Sequence, residues 1–386
     1  FLSGILNTVD RFAAAAFAPV LLNIVLVAVL LGVGLADLGG TPDAGFWLSW
    51  GVFGAGLVQV GFLAVAVRRN GFRLALRRPR LTPGVRRLVR LGIPGVAAGG
   101  ITQINIAAGT IIASFWSGAV SYLYYADRLY QLPLGVVGIA IGVALLPDLS
   151  RRLRSGDGDG ALHTQNRALE FALLLTLPAA IALVVIPDEI IGVLFERGAF
   201  SAEDTRMTAL ALAAFGIGLP AFVLIKVLSP AYFAREDTAT PMWFAGVGMV
   251  VNVAGSVMLA LVLADRGLAH VGIAAATSLA GWANAGLLLA GLVRRGDFRA
   301  DRMLGRRLAA IVCASLAMGV VLWGVAILAE PLIEAPGLAM RIVGLAGLVT
   351  VGAALFFGLC QASGAIDFRG YAKVLLRRRS ARTGAV

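Results

Sequence analysis

Residues 121–150 read SYLYYADRLYQLPLGVVGIAIGVALLPDLS, and they set an aspartate and an arginine inside a run otherwise apolar enough to cross a bilayer. Residues three and four apart share one face of a helix. Stepping in that way from Arg128 brings Gln131, Gly135, Gly138 and Gly142 onto a single stripe. One face therefore carries a guanidinium, an amide and three glycines. Pro133 falls in the same stretch and has no N–H to give the Leu129 carbonyl, so a kink or an opened turn is expected beside the polar pair. Pro133, Gly135, Gly138 and Gly142 are the expected structural, hinge-forming positions.

The rest of the chain shares this apolar character. Of its 386 residues 59% are hydrophobic and 14% charged, where a soluble domain carries about 25% charged residues. The chain reads as an all-α polytopic membrane protein. Cys313 and Cys360 both lie in apolar runs, which supports neither a disulfide framework nor a Cys/His metal site. No Asp-rich diphosphate/Mg²⁺ motif, His/Asp acyltransferase pair, Walker loop or HExxH is present. An enzyme acting on lipid phosphates would need paired carboxylates for a metal, and only Asp127 lies within a span.

Phe1 to Val9 reads as the tail of a helix whose beginning precedes the sequence, and no signal peptide is expected. Ten complete apolar segments follow, each near the roughly 20 residues a bilayer requires. They cover 16–35, 45–67, 92–115, 119–147, 167–187, 207–233, 241–264, 270–293, 307–329 and 339–361. Assigning alternate loops to opposite sides puts 27 of the 33 Lys and Arg on one side. Four remain on the other, Arg197, Arg206, Arg266 and Arg341. The acidic residues split evenly, so the asymmetry belongs to the cations, and the basic side is read as cytoplasmic. The net charge of +12 is then topogenic, with some attraction to anionic membrane lipid, and calls for no nucleic acid. Between Arg68 and Arg90 the connector holds nine arginines. It reads as a solvated positive loop, with a basic interfacial helix as the competing reading.

Placing an arginine at a helix centre costs about 2.5–3.5 kcal/mol on insertion scales. Arg128 lies roughly 13 Å from the outer end of its span at 1.5 Å per residue. Snorkelling to an interface marked by Tyr122, Tyr124 and Tyr125 is one reading. The stripe favours another, a cavity wall, because lipid-facing surfaces seldom join a cation to a glutamine and three glycines. A cation so placed suits a phosphate or diphosphate, through charge-assisted and often bidentate hydrogen bonds. Asp127 stands about 100° round the helix from Arg128. Pairing with another helix, holding a proton or cation, and partly neutralising the arginine all stay open for it. Lys226 lies near the cytoplasmic end of its span; snorkelling is the favoured reading, with ligand binding beside it. Asn105, Gln103, Asn252 and Asn284 are expected to make interhelical hydrogen bonds.

Four stretches carry a family resemblance. ADRLYQLPLGVVGIAIGVALLPDLSR at 126–151, ILNTVDRFAAAAFAPVLLN at 5–23, VLFERGAFSAEDT at 193–205 and KVLSPAYFAREDTATP at 226–241 resemble the MurJ/MviN family. Its members are lipid II flippases of the multidrug/oligosaccharidyl-lipid/polysaccharide (MOP) exporter superfamily. The resemblance implies two six-helix lobes around a central cavity and two extra C-terminal helices forming a groove for a polyprenyl tail. On this sequence it assigns 1–67 to the remainder of the first lobe, whose first three spans precede Phe1, and 68–91 to a basic connector. It assigns 92–293 to the second lobe, 307–361 to the extra pair and 362–386 to a basic cytoplasmic tail. It further implies that an arginine at the position of Arg128 helps to bind the lipid-linked diphosphate or the sugar-peptide head, together with further arginines in the first two spans, which are not in this sequence. Beside Arg128, the residues Asp127, Gln131 and Lys226 are the substrate-binding candidates. Some relatives carry Glu in place of Gln131. Alternating access in the bacterial inner membrane is implied, coupled to membrane potential or a monovalent ion and needing no cofactor, with cell-wall synthesis machinery as a partner. Two rival readings are an exporter of another polyprenyl-linked oligosaccharide or a drug, and a non-transporting membrane scaffold.

Overall fold

The computed structural model describes residues 2–8, 12–72, 86, 100, 103–333 and 337–365, and every regular element among them is a helix. The basic connector beyond Phe72, apart from Arg86, and the tail beyond Ala365 lie outside the described residues. The chain forms two compact units, residues 1–90 and 91–386. In the first, α1 (Leu2–Thr8), α2 (Phe12–Leu35) and α3 (Pro42–Arg69) pack on one another. Gly51 lets α3 approach α2 closely, since a Cβ there would stand 2.9 Å from Val29 Cγ2.

The second unit holds α4 (Gln103–Ala113), α5 (Ala119–Arg154), α6 (Gly158–Val185), α7 (Pro187–Phe195) and α8 (Ala202–Phe233). It continues with α9 (Ala239–Ala264), α10 (Ala269–Arg294), α11 (Arg302–Ile333) and α12 (Leu338–Ala362). Among the described residues eight helices, α2, α3, α6 and α8 to α12, are long and apolar enough to cross a membrane. The 36 residues of α5 span about 54 Å at 1.5 Å per residue, against a hydrocarbon core of about 30 Å. Nine of the ten expected segments fall on described helices; of the one at 92–115, residues 103–113 form α4, and 92–99, 101 and 102 lie outside the described residues.

At the centre stands α8, which packs against α5, α6, α7 and α10. Most of it is buried, with Leu212, Leu219, Val223 and Ala231 among its fully enclosed residues, while Ile217, Lys226 and Phe233 reach an exposed side. Small residues bring the helices together where lipid supplies no hydrophobic drive. A Cβ on Gly218 of α8 would meet Ser278 of α10 at 2.4 Å, and one on Gly272 of α10 would meet the Leu259 backbone of α9 at 2.6 Å. Asn252 donates to Thr277 Oγ1 at 3.3 Å, the expected interhelical bond. The side-chain carbonyls of Asn105 and Asn284 are buried without a partner among the described residues.

The stretch Ser155–Gly160 joins α5 to α6. Gly156 (φ +76) closes α5, with its N–H on Leu153 O and that of Asp157 on Arg152 O, a Schellman end. Asp157 then caps α6 by accepting the Gly160 N–H at 2.8 Å, so the glycines enter the helix. The sequence between 187 and 207 also contains a separate helix, α7, and α8 starts early because Ser201 and Asp204 form a capping box.

The pair α11 and α12 joins α6 and α7 through an apolar cluster that includes Ile186, Val193, Ile311, Met318 and Leu348. Ion pairs fasten it at both ends. Arg307 and Arg167 both reach Glu170, Arg167 also holds Asp301 at 2.8 Å, and at the opposite end Arg341 meets Glu196 at 3.1 Å.

Candidate functional site

The buried side of α5 is apolar. Ala126, Leu129, Tyr130, Val137, Ile141 and Leu145 share one core with Phe215, Leu219 and Val223 of α8. The other side is left open within the second unit, and the sequence stripe lies along it. Arg128, Gln131 and Gly135 are exposed, Gly138 is half-buried, and the apolar Leu132 and Val136 stand beside them. Gly142 continues the helix, but its surroundings lie outside the described residues. Pro133 lies within α5, which is helical from Ala119 to Arg154.

Asp127 takes a partner on its own helix. Gln131 Nε2 donates to Asp127 Oδ2 one turn along, a spacing at which side chains are neighbours. The Arg128 guanidinium makes no hydrogen bond or ion pair with any described residue. It lies over the ring of Tyr124, with Cζ 4.6 Å from the centroid. A cation on an aromatic face is held by the ring quadrupole and keeps its N–H edge free.

Lys226 joins the same face lower down. A Cβ on Gly138 would stand 3.9 Å from Lys226 Cγ, so the lysine stem passes over this glycine, and the lysine is exposed. Ten residues of helix separate Arg128 from Gly138, about 15 Å. Two cations are thus spaced along one helical face, with an amide and small residues between them. Such a strip suits an extended ligand that carries anionic groups.

Two aromatic residues were not singled out by the sequence. Tyr124 reads there as an interface marker, whereas it is the residue that supports the guanidinium; its position four residues before Arg128 is the available signal. Tyr130 packs between Phe215 and Phe222, at 5.6 and 5.8 Å between centroids, and its hydroxyl is buried without a partner among the described residues. A cavity of about 560 Å³ lies elsewhere, where α7, α11 and α12 meet. Asp188, Glu189, Glu196, Trp323, Glu330 and Arg341 help to line it, and none of the expected site residues does. No group of three or more His, Cys, Asp or Glu among the described residues is placed to hold a metal.

Comparison with known proteins gives the family. A family profile described as lipid II flippase MurJ matches residues 1–337. A probable lipid II flippase MurJ of Rhizobium meliloti is 49% identical over 100% of this chain and 70% of its own length. The lipid II flippase MurJ of Burkholderia cenocepacia is 32% identical over 94% of this chain and 69% of its own. Among solved structures, a lipid II flippase MurJ in an inward closed conformation superposes with a TM-score of 0.70 at 21% identity, covering 94% of this chain and 69% of that one. That likeness bears on the fold, and the sequence matches bear on the family: this chain belongs to the lipid II flippase MurJ family.

Proposed function

We propose that this multi-pass bacterial membrane protein carries lipid II, an undecaprenyl-diphosphate-linked disaccharide-pentapeptide, from the cytoplasmic to the outer leaflet of the inner membrane by alternating access. Arg128 binds the diphosphate in this reading, Gln131 and Asp127 shape the wall around it, and Lys226 offers a second positive charge further along the face. The observation that carries the proposal is a guanidinium without an ion pair among the described residues, on the open face of a membrane helix, in a chain of this family. A bilayer-embedded cation is expensive, and an anionic ligand that pairs with it offsets that cost. The arginine asymmetry of the loops supports a cytoplasmic C-terminus. Coupling to the membrane potential or to a monovalent cation belongs to the same proposal, and transport into proteoliposomes under an imposed potential or ion gradient tests it.

The test is complementation of a bacterium depleted of its own lipid II flippase by the gene that carries this sequence. The parent gene restores growth. Arg128→Ala abolishes complementation while the protein still accumulates in the membrane fraction, because losing the charge eases insertion and empties the anion site. Arg128→Lys restores growth only in part, since an ammonium lacks the planar fork that grips two oxygens. Full growth with Arg128→Ala would overturn the role of the arginine. A parent gene that restores growth on another polyprenyl-linked sugar pathway, and not here, would overturn the substrate.

A further inference from the structure

We propose that Tyr124 is the positioning residue for Arg128, and that the segment 193–205 acts on the site by fixing that tyrosine through Tyr125. The inference rests on the diphosphate reading of Arg128 given above.

The geometry has three parts. First, the guanidinium lies 4.6 Å from the centroid of the Tyr124 ring, one helical turn away, and makes no hydrogen bond or ion pair with any described residue. A side chain with many rotatable bonds that floats in a low-dielectric site collapses onto the nearest carboxylate, and Asp127 is the adjacent residue. Gln131 holds that carboxylate instead. Second, stacking fixes the plane of the guanidinium without using any of its five N–H donors. Two parallel hydrogen bonds to phosphate oxygens need that plane to be set in advance. An ion pair would set the plane as well, but it would spend the donors.

Third, the ring is itself held. Tyr124 meets Tyr125 edge-on at 6.1 Å and 81°. Tyr125 sits between Phe195, at 4.9 Å, and Phe200, at 5.3 Å and 88°. Phe195 and Phe200 stand 6.1 Å apart at the end of α7 and in the turn before α8. Edge-to-face and tilted pairs at these separations are the favoured aromatic geometries. Four rings therefore run from the VLFERGAFSAEDT stretch to the cation. This gives a task to a motif that the transport reading leaves without one. Tyr124 is 55% exposed, so it lies on the same open face as Arg128 and within reach of whatever binds there.

The experiment titrates undecaprenyl diphosphate into the full-length protein in nanodiscs and compares Tyr124→Leu, Tyr124→Phe and Arg128→Gln with the parent. Thermal unfolding confirms that each variant is folded. Tyr124→Leu removes the π-face and weakens binding about 2- to 30-fold, the range that a cation–π contact corresponds to between exposed and desolvated sites. Tyr124→Phe keeps the ring and restores most of the affinity. In an Arg128→Gln background Tyr124→Leu causes no further loss, because it acts through the arginine. Parent-like binding by Tyr124→Leu beside a weakened Arg128→Gln overturns this inference alone, and so does a Tyr124→Leu loss that persists without the arginine. Arg128→Gln binding as tightly as the parent overturns the proposed function, and this inference with it.

Discussion

Two aspartates show how the surroundings of one side-chain type decide its task. Asp127, within a span, bonds an amide on its own helix and leaves its neighbour Arg128 to a ring. Asp237, in the turn between α8 and α9, is instead locked into an ion pair: Arg295 donates Nη1–H to Oδ2 at 2.7 Å, and Thr240 N–H reaches Oδ1 at 2.9 Å. The Arg295 guanidinium, with Thr240 behind it, holds that carboxyl at about 2, below its ordinary 3.8. Folding lowers this pKa, so the ionised group stabilises the fold in full above about pH 4, and the contribution is lost as the pH falls toward 2. Arg295 is 44% exposed, which limits the pair to about 0.2–1 kcal/mol. Asp237→Asn is therefore expected to lower the unfolding midpoint at pH 6 and to converge with the parent as the pH falls through 4 and 3. Melting curves in detergent over that range check it, and a gap that stays constant with pH would refute it.

At the scale of elements, the close helix crossings are the most exposed to single changes. Gly272 lies against the Leu259 and Ala260 backbone of α9, and backbone cannot swing aside as a side chain can. Gly272→Ala should destabilise the second unit by about 1–3 kcal/mol, the usual cost of overpacking. Gly246 in α9 has nothing within 4 Å of an added Cβ, and Gly246→Ala should be neutral or stabilise the helix by up to about 1 kcal/mol. Thermal unfolding of both variants decides the point, and equal midpoints would mean that α9 shifts to make room. The sequence revealed these helices, because twenty-odd apolar residues between arginines leave few alternatives in a bilayer. It did not reveal α7, which is too short for a span and owes its packing to Ile191 and Val193, buried against α8 and α11–α12 respectively. It placed Arg128, Gln131 and Gly135 on one face from periodicity alone. The Tyr124 stack and the approach of Lys226 to Gly138 escaped it, since rotamer choice and contact between separate helices leave no mark in local spacing. Pro133 lies inside α5, which runs on either side of it as a helix.

Over the whole molecule, the decisive question for transport is which parts move together. The described contacts tie α11 and α12 to α6 and α7 at two distant levels. The tighter fastening is on the basic side. Glu170, 13% exposed, receives Arg167 and Arg307 together. Arg167 also grips both oxygens of Asp301, while Asn166 bonds the Arg299 carbonyl and the Asp301 N–H. The loop 295–301 is thereby pinned along its length, with Arg235 holding Asp297 at 3.0 Å on the other side. Glu170→Ala would leave Arg307 without this anion and Arg167 with Asp301 alone, at a cost of about 1.5–3 kcal/mol for each charged hydrogen bond lost. With Arg167 no longer held from the α6 side, its grip on Asp301 is expected to loosen and the loop to open more often, and because the loop is rich in arginine, trypsin reports the opening. Cleavage at Arg295, Arg299 or Arg302 in the detergent-solubilised protein should speed up several-fold in Glu170→Ala and stay slow in Glu330→Ala, whose carboxylate lies at the opposite end of α11. Unchanged cleavage in Glu170→Ala would mean that the apolar cluster alone seats the pair, and that the ion pairs only decorate a joint already closed by packing.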